Sequence, residues 1–148
     1  MINIKQMLEQ QMEQWESLGV RPQTLDKFVL EKGKVYQKIT PWRGDPLKPK
    51  ACFENAAKVV MLSPKEYTYA EGVMMMPNIP LSIHHAWLVD RSGNVVDPTI
   101  KDNRGYQYMG CEFSSDEVMR ELVENGYYGL LMPDGIRPNK KLMRNYKK

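Results

Sequence analysis

The chain has 148 residues, 42% of them apolar and 26% charged, with two cysteines, two histidines and a formal net charge of +3. That length suits one domain with a sizeable core, and that composition suits an ordinary globular protein rather than a disordered or fibrous one. No apolar run approaches the roughly 20 residues of a membrane helix, two cysteines make no disulfide framework, and Met1-Ile2-Asn3-Ile4-Lys5-Gln6 lacks the features of a secretory leader, so the expectation is a cytoplasmic protein with reduced thiols and no membrane partner.

Residues 3–18 predict an amphipathic helix. Ile4, Met7, Leu8, Met12, Trp15 and Leu18 recur at steps of three and four, and Gly19 supplies the stop. Segment 20–50 is less regular. Alternation over 34–39 predicts a short strand, and a loop rich in Pro, Gly and Lys follows over 40–50. Pro49 then stands just ahead of a second helix that starts at Cys52, a favoured place for proline. Ser63-Pro64 ends this helix near Leu62.

The texture then changes to strands. Residues 67–76, 81–90, 94–97 and 106–113 read as four strands joined by turn chemistry. Ser114 and Glu117 form a capping box for a helix over 115–125, which Gly126 ends. Residues 127–132 predict a last short strand before the Pro133-Asp134-Gly135 turn. Helices followed by an antiparallel sheet make an α+β fold, with one domain over 1–136 and its core over 35–132. Residues 137–148 hold six Lys or Arg and no acid, leaving the rest of the chain at −3. Such a basic tail is most simply a solvated terminus. Binding of nucleic-acid phosphates is its functional reading.

Three residues carry the chemistry. Cys52 stands at a helix start, where the positive end of the dipole favours thiolate; the plainer reading is a small buried hydrophobe. Cys111, in the fourth strand, reads as core. His84 and His85 are neighbours on one strand and point to opposite faces. The turn decides which of them meets Asp97. With Arg91-Ser92-Gly93 as a three-residue loop and Gly93 in the left-handed position, residue 90 pairs with 94 and residue 87 with 97. His85 and Asp97 then share a face as diagonal neighbours. A two-residue loop would put Asp97 with His84 instead. A thiol, an imidazole and a carboxylate within 46 residues supply a nucleophile, its base and the group that orients the base.

The order of these elements resembles the transglutaminase-like and papain-like cysteine enzymes. The resemblance rests on Cys52 at a helix start, His85-Ala86-Trp87 on a strand and Asp97-Pro98 on the next. Tyr69-Ala70-Glu71-Gly72 corresponds to a strand of that core leading to a glycine. It covers roughly residues 50–113, and the ordered set is also similar to short phage- and plasmid-type sequences. It implies a papain-like or transglutaminase-like core and thiol acyl transfer on a peptide or protein substrate, by hydrolysis or transamidation. Cys52, His85 and Asp97 would form the triad, with no cofactor and no metal. No glycine stands two residues before Cys52 and no glutamine six before it, so the second oxyanion donor is sought in Gln37, Trp42 or Asn55, beside the Cys52 backbone N–H. Tyr69 and Trp87 are candidate walls of a substrate cleft. The alternative is a catalytically inactive member of the same fold that binds a peptide or protein. A metal site on Cys52, His84 and His85 is disfavoured because adjacent strand histidines diverge.

Overall fold

The computed structural model describes residues 2–21 and 23–147. Helices α1 (Ile4–Ser17) and α2 (Thr24–Lys32) lead into strand β1 (Lys34–Val35); α3 spans Cys52–Leu62. Strands β2 (Thr68–Met75), β3 (Ile83–Val89), β4 (Val95–Val96) and β5 (Gln107–Phe113) follow, then α4 (Ser115–Asn125) and α5 (Lys140–Asn145). The strands form one antiparallel sheet in the order β1-β5-β2-β3-β4. The fold class is α+β, as the order of elements predicts. No helix among the described residues is long and apolar enough to cross a membrane.

The period-two alternation of the strands sorts residues onto two faces. Tyr69, Val73 and Met75 of β2 join Ala86 and Leu88 of β3, and Met109, Cys111 and Phe113 of β5, under the helices. Ala56, Ala57 and Val60 of α3 enter that same cluster, with Ile4, Met7 and Leu8 of α1. The opposite face carries a smaller, largely aromatic core of Tyr36, Ala70, Met74, Trp87, Val89, Val95 and Tyr108. Segment 34–40 closes over this second face. It pairs with β5 at Val35 and reaches the far edge at Ile39, which bridges Val95 in parallel. The sheet is thereby curled, and the expected strand over 34–39 is split into β1 and that bridge.

Two glycines make the curl possible. Gly72 and Gly110 face each other across β2 and β5. A Cβ on Gly72 would lie 2.3 Å from the Met109 carbonyl oxygen, and one on Gly110 would lie 2.8 Å from the Trp87 ring. The indole lies where a Gly110 side chain would project, and the β5 backbone lies where one on Gly72 would.

Three local expectations change. Residues 24–32 form a helix, α2, that the irregular reading of 20–50 misses; it is short and has no side-chain N-cap. Residues 127–132 are not a strand, because the Leu130 and Leu131 N–H groups donate to the buried Glu71 carboxylate at 2.7 and 2.9 Å rather than to a sheet. The basic segment from 137 is not simply a solvated terminus. Asn139 caps α5 through the Leu142 N–H, Met143 is buried, and Tyr146 packs against Phe28 and Phe113. Lys148 and Met1 lie outside the described residues.

Candidate active site

Cys52 is the first residue of α3, and Ala56, Ala57 and Val60 on the inner side of that helix seat its start beside β3. Ala51 is the N-cap and offers no side-chain acceptor. The helices on either side of the sheet sequence are treated differently: α1 and α4 both carry full capping boxes, from Asn3 with Gln6 and from Ser114 with Glu117. The first N–H groups of α3, beginning with Cys52, have no carbonyl inside the helix to bond. They sit at the positive end of the helix dipole, beside the thiol.

The β3–β4 hairpin has the predicted register. The Asp90 N–H donates to the Asn94 carbonyl at 3.0 Å, Gly93 has φ +82°, and Leu88 pairs with Val96 and Val89 with Val95. Asp90 Oδ1 accepts the Ser92 and Asn94 N–H groups and stabilises this loop. His85 and Asp97 consequently face each other, with Nε2 2.8 Å from Oδ2. β4 ends at Val96, so the β3 edge at His85 is open to the start of α3. The Cys52 side chain lies close enough to the His85 ring to act on it electrostatically.

Asp97 is almost fully buried, and its carboxylate collects four contacts. Oδ1 accepts the Thr99 and Ile100 N–H groups at 3.0 and 3.3 Å. Oδ2 accepts the Tyr108 hydroxyl at 2.7 Å as well as His85. Burial pushes its proton affinity up, but the hydrogen bond and charge of His85, with Tyr108 and Thr99, hold the carboxyl below its ordinary range. An ionised carboxylate only accepts, so His85 Nε2 carries a proton and Nδ1 is the nitrogen left for sulfur. Burial pushes the His85 imidazolium down, yet hydrogen bonds to Asp97 and Cys52 and their negative charge raise it to about 9. Trp87 stacks beside the ring at 6.3 Å and Tyr108 lies at 6.1 Å.

The candidate oxyanion donors are placed less simply. Both Asn55 amide protons are spent, on the Lys48 carbonyl at 2.8 Å and on Thr99 Oγ1 at 2.9 Å. Asn55 therefore ties loop 40–50 and the Asp97-Pro98-Thr99 turn to the first turn of α3. Leu47 N–H adds a second tie, to the Pro98 carbonyl at 2.7 Å. The single Trp42 indole N–H donates to the Asp45 carbonyl at 3.0 Å, and Gln37 is exposed. The Cys52 backbone N–H is the donor nearest the thiol. Tyr69 and Trp87 are 0% exposed. Both are core residues and neither walls an open cleft, a correction to the sequence-based expectation. Cys111 is buried in the core under the helices, as predicted.

His84 points the other way. Its Nε2 lies 2.9 Å from Glu71 Oε2, and its ring lies 4.6 Å from that of Phe53. The two histidines diverge, as strand geometry requires, and share no ligand position with Cys52. Among the described residues no group of three or more His, Cys, Asp or Glu is arranged to hold a metal ion.

Sequence reasoning misses Tyr108, Asn103 and Thr99, which complete the surroundings of Asp97. Tyr108 sits two residues before Gly110 on the same face, so strand alternation marks it as inward. Its meeting with Asp97 depends on the β2–β5 register, which no short turn sets. Comparison with protein-family models, curated proteins and solved structures finds no match to this chain.

Proposed function

We propose that this protein is a thiol-dependent acyl-transfer enzyme with a papain-like or transglutaminase-like core. It would act on a peptide or protein amide with Cys52, His85 and Asp97 as its triad. The observation that carries this reading is the buried His85–Asp97 hydrogen bond with the Cys52 thiol, at an uncapped helix start, close beside the same ring. His85 takes the thiol proton through Nδ1. The sulfur forms a bond to the carbonyl carbon, and the C=O electron pair moves to oxygen. The Cys52 N–H faces the resulting oxyanion. As the C–N bond breaks, His85 returns its proton to the leaving amine. Water or a second amine then attacks the thioester, His85 takes the proton of that nucleophile, and the thiolate departs. Asp97 holds the ring and offsets the charge of the imidazolium throughout.

Cys52 is 8% exposed and His85 4% exposed. Substrate entry therefore requires displacement of neighbouring chain, and loop 40–50, which Asn55 ties to α3 and Leu47 ties to the turn after β4, is the segment beside the site that would move. The same burial, with the Trp42 and Asn55 donors already used, favours a second reading: a non-catalytic peptide binder on this fold.

Mass spectrometry after incubation with an acyl-type activity probe separates the two. The enzyme predicts one adduct, on Cys52, absent in Cys52→Ala while the circular dichroism spectrum is retained. Iodoacetamide should also label Cys52 faster than Cys111. No adduct on Cys52, or equal slow labelling of both thiols, removes the catalytic reading. Peptide binding that survives Cys52→Ala without turnover establishes the binder.

A further inference from the structure

Tyr108 is usefully ambiguous. Its ring packs 5.0 Å from Trp87 in the aromatic core, which a phenylalanine would do equally well. Its hydroxyl does something else. Asn103 Nδ2 donates to it at 3.1 Å. An amide nitrogen cannot accept, so the tyrosine proton is directed to Asp97 Oδ2 at 2.7 Å. A carboxylate has about four lone-pair sites. Here they meet the Thr99 and Ile100 N–H groups, His85 and Tyr108. The group is saturated, so it has no vacant site for water and no alternative rotamer that keeps its partners.

We propose that Tyr108, itself oriented by Asn103, is a positioning residue of this site, whose hydroxyl locks the Asp97 carboxylate so that the His85 ring presents Nδ1 to Cys52. The inference rests on the triad reading of the function and adds a fourth and a fifth member to it. The groups facing His85 are Cys52 from α3, Asp97 from the turn after β4, and Tyr108 from β5, with uncharged Trp87 on its own strand. Tyr36, from the segment that closes over this face, lies against Trp87 and donates to Glu112. Of these, Cys52 and Asp97 act on the ring directly, and the Tyr108 hydroxyl acts through Asp97. The Tyr108 hydroxyl withdraws negative charge from Asp97. Without it the carboxylate attracts the imidazolium more strongly, and the ring is freer to turn.

The chain holds only two histidines, so one spectrum contains both the site and its control. Histidine ring titration by NMR in Tyr108→Phe should move the His85 midpoint upwards by about half a pH unit or more, and leave His84, whose partner is Glu71, in place. Labelling of Cys52 by the acyl probe should slow, at a temperature where the variant, whose thermal midpoint falls for want of one buried hydrogen bond, is still folded. In Asn103→Ala, which only loosens the hydroxyl, the His85 shift should have the same sign and be smaller. An unmoved His85 midpoint in a folded Tyr108→Phe overturns the proposal, as does an equal shift of both histidines. Should Tyr108→Phe not fold, Asn103→Ala decides, and an unmoved His85 in that variant overturns it. A His85 shift in a protein whose Cys52 never takes the probe sinks the triad reading alone. Probe labelling with an unmoved His85 sinks the positioning role alone.

Discussion

His84 and His85 are chain neighbours, each with Nε2 against a buried carboxylate, at 2.9 and 2.8 Å. The two pairs lie on opposite faces of β3 and have different consequences. Glu71 gathers the Leu130 and Leu131 N–H groups, some 60 residues away in sequence, together with the Tyr69 hydroxyl and His84. Burial pushes its proton affinity up, and those bonds, led by His84, hold the carboxyl below its usual range. It fastens the segment after α4 onto the sheet. Gly129 of that segment rests on Phe53, the residue after the thiol. Asp97 draws its backbone donors from two and three residues onward, so it fastens only its own turn, and its remaining capacity goes to His85 and Tyr108. A histidine–carboxylate pair is thus no marker of catalysis by itself. The adjacent thiol distinguishes the two.

The largest effect should come from exchanging the two histidines one at a time. His85→Asn removes the proposed base, and in enzymes with such a triad losing a member costs on the order of 10⁴- to 10⁶-fold in rate. Probe labelling of Cys52 should fall below detection. His84→Asn keeps a side chain that can donate to Glu71, and labelling should stay within about tenfold of the parent, since the ring touches none of the reacting atoms. Comparable loss in both variants would erase the distinction between the two faces.

Glu71→Ala should give the next largest effect, and it should appear in stability. Removing a buried charge that satisfies two backbone N–H groups and two side chains typically costs about 3–5 kcal/mol. The urea midpoint should drop accordingly, with amide exchange accelerating first at Leu130 and Leu131. Asp97→Asn should cost less stability while abolishing labelling. A Glu71→Ala protein as stable as the parent would mean that the segment is held by packing alone.

This contrast also explains what was legible in the sequence. The hairpin that brings His85 to Asp97 is local: a three-residue loop with glycine at its left-handed position sets the register, so the pairing follows from adjacent residues. The start of α3 at Cys52 and both ends of α4 are equally local, marked by Ser114, Glu117 and Gly126. Glu71 is legible in the sequence only as part of a strand. A carboxylate at an inward position between Tyr69 and Val73 was the available signal, but its partners at 130 and 131 arrive through tertiary packing. Those same residues read as a strand because their apolar pattern is strand-like, and a buried carboxylate claimed their N–H groups first. Tyr108 escaped for a related reason. The register of β5 on β2 is fixed by the opposed Gly72 and Gly110, with Trp87 laid over the latter, a fit that no spacing within one segment encodes. The assignment of Tyr69 and Trp87 to a cleft failed because aromatic residues near a candidate triad on a curled sheet fill its core.

The smallest effect separates the pairs by pH. His85 is raised from an ordinary value near 6.5 to about 9 in the fold, against the downward push of burial, by its bonds to Asp97 and Cys52. Folding therefore favours the protonated ring. The stability this contributes is complete below about 6.5 and is lost as pH rises through about 9. Asp97 and Glu71 are both held low, so each contributes stability that is present above its ordinary value and lost as pH falls through the depressed one. Acid should weaken both faces, whereas alkali between pH 6.5 and 9 should weaken the thiol face through His85. Urea denaturation at pH 6, 7.5 and 9 should show a falling midpoint in the parent and a flatter one in His85→Gln. Deprotonation leaves the ring in place, its Nε2–H still donated to Asp97, so the change appears in the midpoint and not as loss of the fold. Parallel slopes in the two proteins would mean that the imidazolium is no better stabilised in the fold than in the open chain, and would leave the thiol without its charged partner.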